Sequence, residues 1–540
     1  MRRAGHIRIR IGPSRHECKP RPVSRPATGI IIGQFYVWQS SQKNKNARIS
    51  LRRLRGYDLM ALAFFCTAVV FCFVELFGTR MRAGRFLVWR LIIDCLICAV
   101  FWSAGLAVTG ASSVGSAVSI LLLVAVRVGS RIKVALLGEP VVFSDIVAGL
   151  NLLKAPQFYV FALPGYLKLG FLLALPVGAA LLVRAVNLAL RPHLEGLAVF
   201  LLSVVALALI PEEKLAPIPD LRADIVRMGL PATLFLYWRR WLGQADMPPL
   251  GDRKHGDADH GQRPSTEIVV VVQCESFADP TRLPIPAVDR AMRLPGLERA
   301  RRDADFQGDL LVSGFGAYTM RTEYGLLFGR SEEELGFRRY DPFLTAVRDR
   351  TYALPYRLGR AGYRTFFVHP HALSFYRRDR LMPWIGFSQV AGREAFPHVA
   401  SPAMPYPEDR AVAAYLSHLV ETATEPSFFY AVTMENHGPW PGRSARESLA
   451  SYLGHLANSD RMLDELRTAL DKTGRSYLLV FFGDHRPSIR GMLSPGEERG
   501  TPYVVLRSGG DCRRAQPCEQ ALTPAELHRL ILDLVMGRMA

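Results

Sequence analysis

Two hydrophobic rhythms divide this chain. From residue 58 to about residue 210 the apolar residues come in long runs. Residues 58–78 and 87–108 are almost entirely apolar, long enough to cross about 30 Å of hydrocarbon as helices. Residues 112–129 form a weaker third run, richer in Ser and Gly, which also reads as a re-entrant segment; 159–185 and 194–210 are a fourth and a fifth. Beyond residue 265 the runs shorten. Glu267–Val272, Arg364–Val368, Phe428–Thr433 and Tyr477–Phe482 are short, continuous and apolar, which is how strands covered on both faces read. Helical stretches at 343–361, 408–421 and 449–473 separate them. Strands alternating with helices predict a mostly parallel central sheet. The expected architecture is a multi-pass α-helical membrane domain at 57–210, a connector at 211–264 and an α/β domain at 265–540.

Charge adds an orientation. The chain has 67 Lys and Arg against 48 Asp and Glu, a net charge of +19. Residues 1–56 carry basic residues throughout and a single acid, Glu17. Such a stretch before an apolar run reads as a disordered cytoplasmic flank held by the positive-inside rule. No nucleic-acid-binding module follows it, so nucleic acid is not an expected partner. With five spans, everything after residue 211 then lies outside the cytoplasm. Arg80, Arg82, Arg85, Arg131 and Lys133 run against that orientation. Arg90 and Asp94, four apart in the second run, predict a neutralising pair on one helical face, with contact to a lipid head group as the rival reading.

The connector holds an expected interfacial helix, Leu234 to Leu242, with Tyr237, Trp238 and Trp241. Its polar run at 251–264 reads as a solvated linker rather than a metal site. Cys66, Cys72, Cys95 and Cys98 lie in apolar runs and read as small hydrophobes. Cys512 and Cys518 flank a polar loop, and a disulfide and two unpaired thiols are both open.

Chemistry gathers where the strands end. After the first come Gln273-Cys274-Glu275-Ser276, after the second His369-Pro370-His371, after the third Glu435-Asn436-His437-Gly438-Pro439, and after the fourth Gly483-Asp484-His485-Arg486-Pro487. Ligands of open α/β sheets bind at the carboxyl ends of strands. Glu275, Asp484 and His485 offer oxygen and nitrogen donors without thiolate, suited to Mn²⁺ or Mg²⁺, with Zn²⁺ also compatible. A nucleophile candidate, Thr319, follows the glycines of Ser313-Gly-Phe-Gly-Ala-Tyr-Thr319, where a tight turn can bring backbone close to a phosphate. Locally, a helix-capping role for Thr319 with Glu323 stands equal to a catalytic one.

The motifs CES at 274–276, YTMRTEYG at 318–325, FYRRD at 375–379, MENHGPW at 434–440 and FFGDHRP at 481–487 resemble, in order and spacing, the lipoteichoic acid synthase family of phosphoglycerol transferases. That family lies within the alkaline phosphatase and sulfatase superfamily. The resemblance implies Glu275, Thr319, Asp484 and His485 as metal ligands, Thr319 as the nucleophile, and His437 as a catalytic and substrate-contacting histidine. It also implies Arg378 and Tyr376 as substrate-binding residues, Tyr376 standing where the family commonly has tryptophan. The implied reaction moves phosphoglycerol from phosphatidylglycerol to an envelope glycan or polymer, through a covalent adduct on threonine. It would proceed at the inner membrane, with the catalytic domain facing the periplasm or cell exterior. The rivals are a phosphoethanolamine transferase, disfavoured because Cys274, Cys512 and Cys518 are the only cysteines of the second half, a phosphodiesterase or sulfatase-type hydrolase, and an inactive scaffold, disfavoured by the intact site.

Overall fold

The computed structural model describes residues 59–76, 85–150, 165–244, 266–397, 401, 404–508 and 517–538. The basic flank, the whole polar run at 251–264 and Cys512 lie outside the described residues, so the disulfide question does too. The chain divides into two units, Met1–Phe65 and Cys66–Ala540; the contacts below lie within the second.

Among the described residues three helical segments are long and apolar enough to cross a membrane: α1 (Leu59–Leu76), Phe86–Thr109 within α2 (Arg85–Thr109), and α6 (Leu190–Ala208). The third and fourth apolar runs also form helices, α3 (Ser112–Leu137) and α5 (Gly165–Ala185), the latter with Pro176 inside it. A short helix α4 (Phe143–Leu150) follows α3. Small residues let these helices approach closely. A Cβ on Gly105 would stand 2.7 Å from Gly115 Cα, and one on Gly196 2.5 Å from Ala107 N.

The Arg90–Asp94 pair forms, with Nε to Oδ2 at 3.7 Å, but inside a larger cluster. Arg90 also donates to the Glu75 carbonyl at 2.8 Å, and Arg127 Nε reaches the Glu75 carboxylate at 2.6 Å. Two arginines against two acids leave little net charge to bury, which the expense of isolated charge in hydrocarbon demands.

The expected interfacial helix is longer than read, and its first half is internal. It runs as α8 (Leu230–Gln244), after α7 (Leu221–Met228), and its residues Leu230 to Leu234, Leu236 and Tyr237 are buried. Tyr237 meets Phe337 of the second half edge-on at 4.9 Å, and its hydroxyl donates to Asp224 at 2.6 Å. The aromatic residues that suggested a lipid interface are therefore partly packing residues.

The second half is an eight-stranded sheet: β1 (Ile268–Cys274), β2 (Phe306–Leu311), β3 (Arg364–Val368), β4 (Gln389–Ala391), β5 (Ser427–Val432), β6 (Tyr477–Gly483), β7 (Gly500–Arg507) and β8 (Cys518–Glu519), ordered β4-β3-β5-β1-β6-β7-β2-β8. The four apolar runs of the sequence are the contiguous parallel centre β3-β5-β1-β6. Period-two alternation buries both faces of β1. Val269 and Val271 join a core with Leu327 and Ile531; Ile268, Val270 and Val272 join another with Leu456 and Leu463. Four strands went unread. β2 is polar over half its length, β4 and β8 are very short, and β7 is antiparallel and contains Pro502.

The predicted helix over 343–361 is instead two 3₁₀ turns, Pro342–Leu344 and Ala346–Tyr352, and a short helix from Leu354 to Arg360. Pro355 explains the break, because its ring clashes with a helical carbonyl four residues back. The other two predicted helices stand, as α10 (Asp409–Thr422) and α11 (Ala445–Lys472), and α12 (Pro524–Val535) closes the chain. α9 (Thr319–Phe328) starts at the candidate nucleophile.

Candidate active site

Register places the first two acids. β1 and β6 run parallel, with Cys274 opposite Gly483. The next residues, Glu275 and Asp484, therefore leave the sheet side by side. Asp484 N still donates to Cys274 O at 3.1 Å. Ser276, at φ 50°, turns the chain so that its N–H reaches Asp484 Oδ1 at 2.8 Å. His485 Nε2 lies 3.3 Å from Glu275 Oε1 and 3.7 Å from Asp484 Oδ2. One ligand atom from each of the three residues falls within 4.8 Å of the others, and all three residues are buried.

This cluster is incomplete on its own. Glu275 Oε2 and Asp484 Oδ2 are buried without a hydrogen-bond partner. Burial, then the neighbouring Asp484 charge, pushes the Glu275 carboxyl up to about 8. Unsatisfied buried carboxylate oxygens are expensive. A divalent cation would satisfy both, and two carboxylates with one imidazole suit a hard or borderline ion. The residues present thus fit the expected metal.

Thr319 sits half-buried at the same edge. The turn before it is tied to the fourth strand end, with Gly316 N donating to Arg486 O at 2.8 Å. Gln273 Nε2, at the end of β1, donates to Thr319 O at 3.3 Å, and Thr322 Oγ1 on α9 donates to Asp484 O at 3.0 Å. The capping alternative does not hold. Thr319 is the first helical residue, the residue ahead of it is Tyr318 at φ 79°, and no side-chain cap forms there.

Glu323 goes elsewhere. Its carboxylate takes both arms of Arg378, with Nε to Oε1 at 3.2 Å and Nη2 on Oε2. Arg378 Nη1 also approaches His369 Nε2 at 3.3 Å, while His369 Nδ1 lies 2.9 Å from Val432 O. Because that carbonyl can only accept, the His369 proton sits on Nδ1. Burial, with the Arg378 charge beside it, holds His369 neutral by lowering its pKa well below the usual range. Arg378 is 1% exposed, and its guanidinium lies 5.1 Å from the Tyr376 ring centre. Tyr376 in turn packs on Phe375 and, edge-on, on Phe343. So Arg378 and Tyr376, read as substrate-binding, stand together in the segment that follows β3, with the arginine engaged by Glu323.

His437 is half-buried, and its Nδ1 lies 2.6 Å from Gly438 O. The same argument puts its proton on Nδ1 and the lone pair on Nε2. Burial lowers its pKa, against the carbonyl contact and the Asp484 charge that raise it. Tyr406 bridges His437 and His371, at 5.6 and 5.8 Å between ring centres. Sequence reading missed Tyr406, which lies in a loop with no apolar period.

Residues 267–535 match the family model described as Sulfatase. This span is a sulfatase domain of the alkaline phosphatase superfamily. The sulfatase domain and the helices before it share their fold with the integral membrane lipooligosaccharide phosphoethanolamine transferase A (EptA) of Neisseria meningitidis: TM-score 0.52, 13% identity, 88% of this chain and 95% of that one. The chain is 30% identical over 306 residues to the capsular polysaccharide biosynthesis protein RkpI of Rhizobium meliloti, covering 54% of this chain and 56% of that protein. It is 25% identical over 241 residues to a putative cyclic beta-1,2-glucan modification protein of the same organism, covering 42% and 36%. The chain thus spans about half or less of the length of these curated relatives.

Proposed function

We propose that this protein is a metal-dependent phosphotransferase, anchored in the inner membrane with its sulfatase domain outside the cytoplasm, that moves phosphoglycerol from phosphatidylglycerol to an envelope glycan. One observation carries the metal-dependent chemistry. The buried, unpartnered oxygens of Glu275 and Asp484 converge with His485 at the sheet edge, and the turn bearing Thr319 is bonded to that same edge.

Glu275, Asp484 and His485 would hold the cation, with Thr319 as a further ligand. When bound, a divalent ion polarises a phosphoryl oxygen and lowers the pKa of a neighbouring hydroxyl. Thr319 Oγ attacks the donor phosphorus, the bond to the diacylglycerol oxygen breaks, and the Thr319 proton ends on that alcohol. An acceptor hydroxyl then attacks the phosphothreonine ester and its proton returns to Thr319. Splitting one displacement into two is nucleophilic catalysis. The lone pair on His437 Nε2 suits the proton-accepting role for the attacking hydroxyl. The basic flank supports the orientation. The glycan acceptor is favoured by the names of the two Rhizobium relatives, one in capsular polysaccharide biosynthesis and one in glucan modification. The low cysteine content of the domain favours phosphoglycerol over phosphoethanolamine.

Intact-mass measurement of the purified protein with phosphatidylglycerol, and separately with phosphatidylethanolamine, tests this. A glycerol-phosphate adduct on Thr319, absent in Thr319→Ala, is the expected result. Adduct from phosphatidylethanolamine alone would reassign the donor. Turnover by Thr319→Ala near the parent rate would remove the nucleophile.

A further inference from the structure

The turn that presents Thr319 is built partly from the membrane half. Arg321, two residues into α9 from Thr319, is buried, and its guanidinium binds Glu139 through both arms, Nη1 to Oε2 at 3.0 Å and Nη2 to Oε1 at 3.3 Å. Glu139 lies in the turn between α3 and α4. The same guanidinium lies 4.0 Å from the centre of the Tyr318 ring, and Lys133 of α3 approaches that ring at 5.4 Å. Lys133 is itself fixed, donating to Asp145 of α4 at 2.5 Å and to Pro140 O at 3.1 Å. Tyr318 is the residue whose left-handed backbone, φ 79°, starts α9 at Thr319. A non-glycine residue in that region holds its conformation only when its surroundings fix it.

The brace reaches the metal side as well. Ser488 Oγ, four residues past Asp484, donates to Leu136 O of α3 at 2.5 Å. A Cβ on Gly138 would stand 2.7 Å from Pro495 Cβ, so the turn fits closely on the loop that follows β6. Both halves of the candidate site, the nucleophile turn and the Asp484-His485 loop, rest on one short stretch of the membrane half.

We infer that the α3–α4 turn positions Thr319 against the metal ligands, and that Glu139, acting through Arg321 and the Tyr318 ring, is a positioning residue for phosphoryl transfer. This rests on the function proposed above. It goes further in giving the membrane half a part in the chemistry beyond anchoring. A nucleophile misplaced by about 1 Å can lose about a hundredfold in rate, and Glu139→Gln breaks the charge pair while keeping the shape.

The test uses the full chain in detergent or lipid. Relative to the parent, Glu139→Gln should slow Thr319 adduct formation from phosphatidylglycerol about 10- to 100-fold. Its half-saturating donor concentration and its thermal shift with Mn²⁺ should stay unchanged. Hydrogen exchange should quicken in 313–322 and not in 268–274. Glu139→Asp, which keeps the charge, should recover part of the rate. Arg339→Ala is the control. It removes a different contact between the two halves, Arg339 Nη2 to Pro219 O at 3.2 Å, and should stay within twofold of the parent. Three outcomes overturn the inference: Glu139→Gln within twofold of the parent, an equal fall in Arg339→Ala, or loss of the Mn²⁺ shift in Glu139→Gln, which would mark plain structural damage. If the parent forms no Thr319 adduct, the functional reading fails instead. The exchange pattern then still decides whether Glu139 holds the turn, and unchanged exchange in 313–322 overturns that too.

Discussion

Two buried clusters of acid and histidine lie at one edge of the sheet, and they differ in completeness. In the first, Glu323, Arg378 and His369 satisfy one another, and His369 finds a second partner in the Val432 carbonyl. In the second, Glu275, Asp484 and His485 leave two carboxylate oxygens buried and unpaired. Both hold a glutamate and a histidine, but the first adds an arginine and the second a further carboxylate. A closed network rigidifies its surroundings, whereas an open one gains stability when a partner is added. On this contrast we propose the open cluster as the binding site and the closed one as its support, with Glu323 holding Arg378 in place.

The sharpest way to break that contrast is to attack the open cluster. Asp484→Asn should cost about 10³-fold or more in transfer, since several kcal/mol of charge stabilisation depends on the ion. It should also abolish the thermal shift that Mn²⁺ gives the parent. A variant that keeps both would show that the unpaired oxygens are not a metal site. Next comes the closed cluster. Arg378→Ala strands a buried Glu323 carboxylate and should destabilise the sulfatase domain by about 3–5 kcal/mol, read by denaturant or thermal melting. A loss below about 1 kcal/mol would mean that the pair is not the scaffold described here.

A pH titration then sharpens the difference. Without metal, Glu275 has a folded pKa of about 8 against an ordinary 4.5. Between those values the folded state binds more protons than the unfolded state, so stability falls as pH rises. The melting temperature of chelator-treated protein should therefore drop from about pH 5 to about pH 8, and added Mn²⁺ should flatten the trend. A metal-free protein that becomes more stable across that window would contradict the assignment. The smallest effect is expected at Tyr376→Phe. That change keeps the ring packed against Arg378, Phe343 and Phe375, and a change of less than about twofold in activity is expected. A tenfold loss would give the hydroxyl a substrate role.

The legible parts of the fold were those with strong local signals. The apolar runs of β1, β3, β5 and β6 announced a parallel centre because both faces of each strand are covered. The motifs at 274–276, 318–325 and 481–487 announced the superfamily. What stayed hidden had weak or misleading local patterns. The polar edge strand β2 carried no apolar run. The 343–361 stretch looked helical, but Pro355 breaks it. The aromatic residues of α8 looked lipid-facing, while Tyr237 is inside. The Arg90–Asp94 spacing predicted a pair, but Glu75 and Arg127 complete it from other helices.

By itself the sequence determined which residues could do chemistry and that they stand at strand ends, because side-chain type and period are local properties. Only the tertiary structure decided which of them share a site and which lock one another away. Sheet register set Glu275 beside Asp484, and packing gave Glu323 to Arg378 rather than to a helix cap. The meeting of Glu139 with Arg321, 182 positions apart, depends on how helices and sheet are laid against each other, and no stretch of local sequence carries that information.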